Sequence, residues 1–109
     1  MKHVDIDRMQ ASAAQASAFL QTIANEKRLL ALCHLVDGEK SVGVLADLVG
    51  LSQSALSQHL NRLRQRALVA TRRDGQTIWY SIADPRVQAV ITLLYDQFCK
   101  PQTKKRTSR

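Results

Sequence analysis

Two predicted helices separated by only three residues constrain the fold of this chain more than any other feature. Ser41 is a suitable N-cap for a short helix over 42–49, which Gly50 ends, and Ser52 is the N-cap of a longer helix. The longer helix covers residues 53 to about 67. A three-residue connection that includes glycine is typical of helix-turn-helix units, so we expect these two helices to form one.

The longer of these helices has two contrasting faces. Leu56, Leu60 and Leu63 recur at the spacing i, i+4 and i+7, which predicts a stripe that packs against the core. The opposite face carries no apolar residue; its members are Gln53, Ser54, Ser57, Gln58, Asn61 and Arg62. A face of this kind is expected to remain at the surface.

A β-hairpin is predicted directly after the longer helix. Two β-prone runs, 68–72 and 77–82, are joined by Arg73-Asp74-Gly75-Gln76, and Asp-Gly between such runs is a strong hairpin signal. Helix, short turn, helix and a hairpin with arginines at its tip together form the arrangement of a winged helix-turn-helix.

Three further helices complete the prediction. The first covers residues 9–23 and is rich in alanine and serine, the second begins at the cap-like Asn25 and runs to Val36, and the last is opened by Asp84-Pro85. The stripe of this last helix is Val87, Val90, Ile91, Leu94 and Phe98. We therefore predict a mainly α fold with a β-hairpin wing, in the order ααααββα. Residues 1–99 form one domain, and residues 100–109 are expected to be a disordered basic tail.

Positive charge is sorted along the chain rather than spread evenly. The net charge is +7; the segment 52–82 contains five arginines and one aspartate, and the tail 100–109 contains five basic residues and no acidic one. The tail alone is typical of a solubilising extension. A basic internal segment that coincides with the helix-turn-helix and the hairpin favours a polyanionic partner.

Several classes of protein are disfavoured by the same sequence. No apolar stretch is long enough to cross a bilayer and the N-terminus lacks the apolar core of a signal peptide, so we expect a cytoplasmic protein with no membrane partner. Cys33 and Cys99 form neither a CxxC pair nor a zinc-finger spacing, and in the cytosol they are expected to be thiols. We predict no catalytic residue, no cofactor and no enzyme activity.

The predicted partner is duplex DNA, because in a helix-turn-helix the N-terminal residues of the second helix meet base edges in the major groove. Glutamine pairs with adenine and serine reaches donors or acceptors, whereas the arginines further along the helix and at the wing suit phosphates or the minor groove. The alternative is a solvated polar face beside a charged hairpin tip, and the combination of features favours DNA. The predicted DNA-binding residues are Ser52, Gln53, Ser54, Ser57, Gln58, His59, Arg62, Arg64, Arg72, Arg73 and Gln76.

The chain resembles the ArsR family of transcriptional repressors. The stretch that carries the resemblance is SVGVLADLVGLSQSALSQHLNRLRQRALVATRRDGQTIWYSI, and IANEKRLLALCHL before it resembles the family's second helix. The resemblance covers about residues 9–99 and implies a homodimer built from the first and last helices. Ala67 stands where the family often has glycine, which we expect to alter the turn rather than the function.

Many members of this family sense metals, through Cys-x-Cys on the third helix or Asp, His and Glu on the last. Here the third helix, SVGVLADLVG, contains neither cysteine nor histidine, and the last, DPRVQAVITLLYDQFC, contains no histidine. His3, His34 and His59 are scattered, and no tetrahedral ligand set is apparent. We therefore predict no metal site; an ArsR-type regulator with a metal inducer stays an alternative.

The positions of Cys33 and Cys99 resemble the dithiol branch of the family, which includes BigR-, SqrR- and HlyU-like regulators. That resemblance implies a redox-sensing pair that is bridged by a reactive sulfur species or another oxidant, after which the dimer releases its operator. The alternative for each cysteine alone is a packing residue. A second alternative is an HlyU-like anti-repressor or activator that displaces a nucleoid protein.

Overall fold

A computed structural model describes residues 3–99 of the chain. Its elements in chain order are α1 (Ile6–Ile23), α2 (Glu26–Leu35), β1 (Lys40–Ser41), α3 (Val42–Val49), α4 (Gln53–Gln65), β2 (Val69–Asp74), β3 (Thr77–Ile82) and α5 (Pro85–Phe98). The five predicted helices and the hairpin are confirmed. The tail predicted to be disordered, 100–109, lies outside the described residues.

Side-chain caps set the starts of the helices. Asn25, Ser41, Ser52 and Asp84 each accept a hydrogen bond from a backbone N–H in the first turn of the helix that follows, as predicted. The first helix begins three residues earlier than the apolar pattern indicates, because the carboxylate of Asp5 accepts from the N–H of Arg8.

The sheet has three strands, in the order β1-β3-β2, instead of the two predicted. The additional strand is only two residues long, Lys40 opposite Tyr80 and Ser41 opposite Trp79, which is too short to produce an alternating pattern in the sequence. The predicted four-residue connection of the hairpin is also wrong. Arg73 and Asp74 pair with β3, and Gly75-Gln76 alone form the turn, where Gly75 takes φ +64°.

Ala67 takes the backbone conformation that glycine usually takes at the end of a helix. Its φ is +59°, its N–H bonds the carbonyl of Arg64 at 2.9 Å, and the N–H of Leu68 bonds the carbonyl of Leu63 at 3.0 Å. These two bonds form a Schellman motif. The expectation that alanine alters this turn is therefore wrong: the left-handed conformation is kept, at a cost of about 1 kcal/mol.

The predicted inward stripe of α4 is confirmed, since Leu56, Leu60 and Leu63 are completely buried. The stripe of α5 is covered only in its first half. Val87 and Ile91 are buried, whereas Phe98 remains 81% exposed. Apolar side chains of α1 are exposed too, so a single protomer leaves apolar surface of α1 and α5 in contact with water.

Candidate nucleic-acid interface and thiol groove

The polar face of α4 is at the surface, as predicted. Among the predicted DNA-binding residues, Ser57 and His59 are half-buried and the others are exposed. The hydroxyl of Ser52 accepts from the N–H of Ala55 at 3.1 Å, so this serine serves as the helix cap. The side chain of Gln53 lies against α3, because a Cβ at Gly43 would stand 3.2 Å from its amide nitrogen. The side chain of Gln58 is exposed on the same face.

The two wing arginines have different surroundings. Arg72 forms a forked ion pair with Glu39, its Nε lying 3.0 and 2.9 Å from the two carboxylate oxygens, and its guanidinium lies over the Trp79 ring, 5.6 Å from the centroid. Hydrogen bonding to Arg72 lowers the pKa of the Glu39 carboxyl, which keeps the pair charged. Arg73, the next residue along the strand, has no such carboxylate partner within residues 3–99 and borders a groove between α4 and the wing that Arg64 and Arg72 also line.

Sequence reasoning misses the contacts of Arg72, although Arg72 itself was predicted. Glu39 lies 33 residues away from Arg72 along the chain, and no local pattern links them. The consequence is that the charge of Arg72 is already offset in the free protein, whereas that of Arg73 is exposed.

Arg28 on α2, which is outside the predicted set, also reaches α4. Arg28 on α2 is 9% exposed, its Nε donates to the carbonyl of Thr22 at 2.6 Å, and its Nη1 lies 3.4 Å from Nδ1 of His59. Burial, Arg28 and Arg62 together lower the pKa of His59. A signal exists in the sequence, because Arg28 shares a helical stripe with the buried Ala31, Leu32 and Leu35.

Cys33 and Cys99 line the same groove between α2 and α5. The groove has a volume of about 680 Å³; its other walls are mainly apolar and include Leu30, Tyr95 and Phe98. Both thiols are exposed and unbridged. Although its surface is exposed, Cys33 is partly buried against the groove, and this partial burial, followed by the charge of Cys99, raises its pKa.

Two further observations concern other chemistry. Within residues 3–99, no group of three or more His, Cys, Asp and Glu side chains is placed to hold a metal ion. Among the helices of the same residues, none combines the length and the apolar character that crossing a membrane requires.

A polar helix carried by a helix-turn-helix and followed by a basic hairpin defines a class, the winged helix-turn-helix transcriptional regulators. The sequence profile of the bacterial regulatory protein, arsR family, matches residues 25–71. Together with the relatives below, this match shows that the chain belongs to the ArsR family, and it is a regulator rather than an enzyme.

Three relatives show how far the likeness extends. The transcriptional activator HlyU of Vibrio cholerae serotype O1 is 44% identical over 97 residues, which span 89% of this chain and 90% of that protein. A structure of reduced HlyU from Vibrio cholerae N16961 aligns with a TM-score of 0.81 at 46% identity, over 85% of this chain and 98% of that one. The transcriptional repressor BigR of Xylella fastidiosa aligns with a TM-score of 0.85 at 34% identity, over 90% of this chain and 100% of that one. The homodimeric DNA-binding domain of Mb0332 from Mycobacterium bovis aligns with a TM-score of 0.72 at 30% identity, over 89% of each chain.

Proposed function

We propose that this regulator binds a two-fold duplex operator as a homodimer and that bridging Cys33 to Cys99 lowers its affinity for that operator. The observation that carries the proposal is the placement of both thiols in one groove between α2 and α5. Because the groove lies between α2 and α5, a covalent bridge across it changes the position of α5, a helix of the dimer interface, relative to α2. The protein acts in the cytoplasm, where reducing conditions return the thiols to their resting state.

In the DNA complex, α4 is the recognition helix. Ser54, Ser57 and Gln58 in its first half contact base edges, while Arg62 and Arg64 contact phosphates on the flanks. The wing contributes Arg73 and Gln76, which are exposed at the end of the hairpin. Arg72 contacts DNA only after it leaves Glu39, since in the free protein its fork is occupied by that carboxylate.

The dimer is formed by α1 and α5, whose apolar side chains are uncovered in a single protomer. Exposed apolar patches of this extent mark interaction surfaces. A homodimeric relative of the same fold supports the assignment. Pairing through these helices places two recognition helices on one face, which suits two half-sites about one turn of DNA apart.

The order of the thiol steps follows from the electrostatics of the pair. Partial burial, and second the charge of Cys99, raise the pKa of Cys33, so near neutral pH Cys33 stays a thiol. Cys99 therefore attacks first, taking a sulfur atom from a persulfide or polysulfide and releasing the remaining thiolate. Cys99 then carries a persulfide, whose outer sulfur is the leaving group of the second step. The Cys33 thiolate then attacks the Cys99 persulfide, displacing hydrosulfide as the disulfide forms; a longer polysulfide leaves additional sulfur in the bridge.

A second direction of regulation has an observation in its favour. The relative HlyU is named a transcriptional activator, while the relative BigR is named a repressor. Both directions use the same DNA interface, so an activator would act by displacing another protein from the promoter. A reporter gene in a deletion strain separates the two: expression rises without a repressor and falls without an activator.

The proposal is tested with a DNA probe that the reduced wild-type protein selects from a random-sequence pool. Binding to this probe is measured by fluorescence anisotropy before and after treatment with inorganic polysulfide, over a series of salt concentrations. We expect treatment to lower the affinity roughly 5- to 150-fold. Equal affinity in both states would contradict the thiol switch, and failure to select any preferred sequence would contradict operator binding itself.

The wing and the recognition helix are expected to respond differently to substitution. Arg73→Ala removes a phosphate contact, so it weakens binding to every sequence alike and reduces the slope of log affinity against log salt by about one. Gln58→Ala removes a base contact and relaxes the preference for the selected sequence. The measurement compares selected and scrambled duplexes. A change of specificity on Arg73→Ala without one on Gln58→Ala would reverse the assignment.

Glu39→Gln is expected to strengthen DNA binding. The substitution removes the carboxylate that competes with phosphate for Arg72, so the affinity rises about 2- to 5-fold and the salt dependence becomes steeper. Asp37→Asn, nearby and also exposed, removes the same charge without touching Arg72 and serves as the control. Equal gains from both variants would show only a general effect of net charge, and a loss on Glu39→Gln would show that the pair supports the wing.

A further inference from the structure

Arg28 connects three helices through hydrogen bonds that are largely shielded from water. Its backbone N–H donates to the Asn25 cap at 3.1 Å, its Nε donates to the carbonyl of Thr22 at the end of α1, and its Nη1 faces Nδ1 of His59 on α4. Arginine is almost never this buried unless its donors are paired. Its pairing therefore holds α4 in relation to α1 and α2.

We propose that Arg28 is a positioning residue of the recognition helix, which holds His59 with Nδ1 as an acceptor so that Nε2–H is offered to an acceptor oxygen or nitrogen of DNA. This inference rests on the proposed contact between α4 and DNA. It adds to that contact a hydrogen-bond donor, Nε2–H of His59, whose protonation and orientation are set by Arg28 on α2.

The hydrogen-bonding chemistry of the pair defines the tautomer. A guanidinium has five N–H donors and no acceptor, so the nitrogen of His59 that faces Arg28 must present a lone pair. In a neutral imidazole the proton then lies on Nε2, which points away from Nδ1. The charged groups that act on this ring are Arg28 on α2 and Arg62 on α4, both cationic, and together with burial they disfavour the imidazolium.

The position of His59 on α4 suits a contact with DNA. It lies three residues before Arg62, so the two side chains are neighbours on the helix surface and His59 flanks the proposed phosphate contact. The side chain is half-buried, and its Nδ1 lies beside Arg28. A ring held in this way loses little conformational freedom when its Nε2–H binds DNA.

The test replaces His59 by each of two amide side chains, and each amide keeps the hydrogen-bonding role of one ring nitrogen. His59→Asn keeps an acceptor near the position of Nδ1, and His59→Gln keeps a donor near the position of Nε2. With the selected duplex as the probe, we expect His59→Asn to lose roughly three- to tenfold in affinity and His59→Gln to recover most of that loss. A changed sequence preference places the acceptor on a base, and an unchanged preference places it on a phosphate.

A second readout examines the positioning directly, in full-length protein without DNA. Nitrogen-15 NMR of the wild type is expected to show His59 protonated on Nε2 and unprotonated on Nδ1. Arg28→Lys replaces the two guanidinium nitrogens that reach Thr22 and His59 by one ammonium nitrogen, so it is expected to mix the tautomers, and Arg86→Lys on α5 is the control. Because the wild-type spectrum is itself diagnostic, the test stands even if Arg28→Lys does not fold.

Two results would overturn the inference. One is a His59 that is protonated on Nδ1 in the wild type. The other is equal operator affinity for His59→Asn and the wild type while Gln58→Ala still relaxes specificity, which would leave the proposed interface intact and remove His59 from it. Absence of sequence-selective binding by the wild type would instead contradict the proposed function.

Discussion

Leu94→Glu is expected to yield a monomer that no longer binds the operator. Leu94 is half-buried in the protomer, in the part of α5 where the apolar stripe is still exposed to water. In a dimer built on this face, the substitution places an unpaired carboxylate in each half of the apolar contact, and burying such a charge is costly. We expect the dimer dissociation constant to rise at least about a hundredfold, which corresponds to about 2.7 kcal/mol. Sedimentation equilibrium measures this directly.

Operator binding is expected to fail together with the dimer, because a single recognition helix contacts only one half-site. Gln88→Glu introduces the same charge at an exposed position of the same helix and is the matched control. Circular dichroism establishes that Leu94→Glu is folded before its binding is measured. A folded monomer with wild-type affinity for the full operator would contradict the proposed interface, as would a dimer that tolerates the charge.

The helix-turn-helix is predictable from the sequence because each of its boundaries has local chemistry of its own. Ser41 and Ser52 accept bonds from N–H groups that their helices leave unpaired, and Gly50 takes φ +75° at the turn. The leucines of α4 recur at helical spacing and are buried. Such signals lie within a few residues of the structure they determine, so no knowledge of the rest of the fold is needed.

The contacts that adjust the site depend instead on residues distant in the chain. Arg28 and His59 are 31 residues apart. The local sequence around each predicts only a charged or polar residue of an amphipathic helix. The same holds for the two cysteines, whose spacing predicts nothing about proximity. Their pairing is implied by the family resemblance, and the fold adds the observation that α2 and α5 bring them to one groove. These contacts are therefore known only once the tertiary packing of the helices is known.

Exchange of either cysteine is expected to abolish the response to polysulfide without altering the reduced protein. Cys33→Ser and Cys99→Ser are near-isosteric changes at exposed positions outside the polar face of α4, so reduced operator affinity should stay within about twofold of wild type. In the wild type, treatment should produce one intramolecular crosslink per protomer, with a mass increase for each additional sulfur in the bridge. A direct disulfide requires the Cα atoms to approach to roughly 4.4–6.8 Å. Reduction with a dithiol should restore both the mass and the affinity.

The pH dependence of bridging gives the switch its sharpest test. The pKa of Cys33 is raised, so near neutral pH most of this group is thiol, and the attacking thiolate is scarce. As the pH rises toward that pKa, each unit increases the thiolate fraction by a factor of about ten, so closure of the bridge should accelerate with pH when formation of the Cys33 thiolate limits it. Stopped-flow quenching followed by mass spectrometry separates this step from the first, because Cys33→Ser should accumulate a persulfide on Cys99 that never closes. Persistence of the Cys99 persulfide in the wild type, with no closure at any pH, would contradict Cys33 as the resolving thiol. Two independently modified thiols with unchanged operator affinity would leave both cysteines as packing residues and remove the switch.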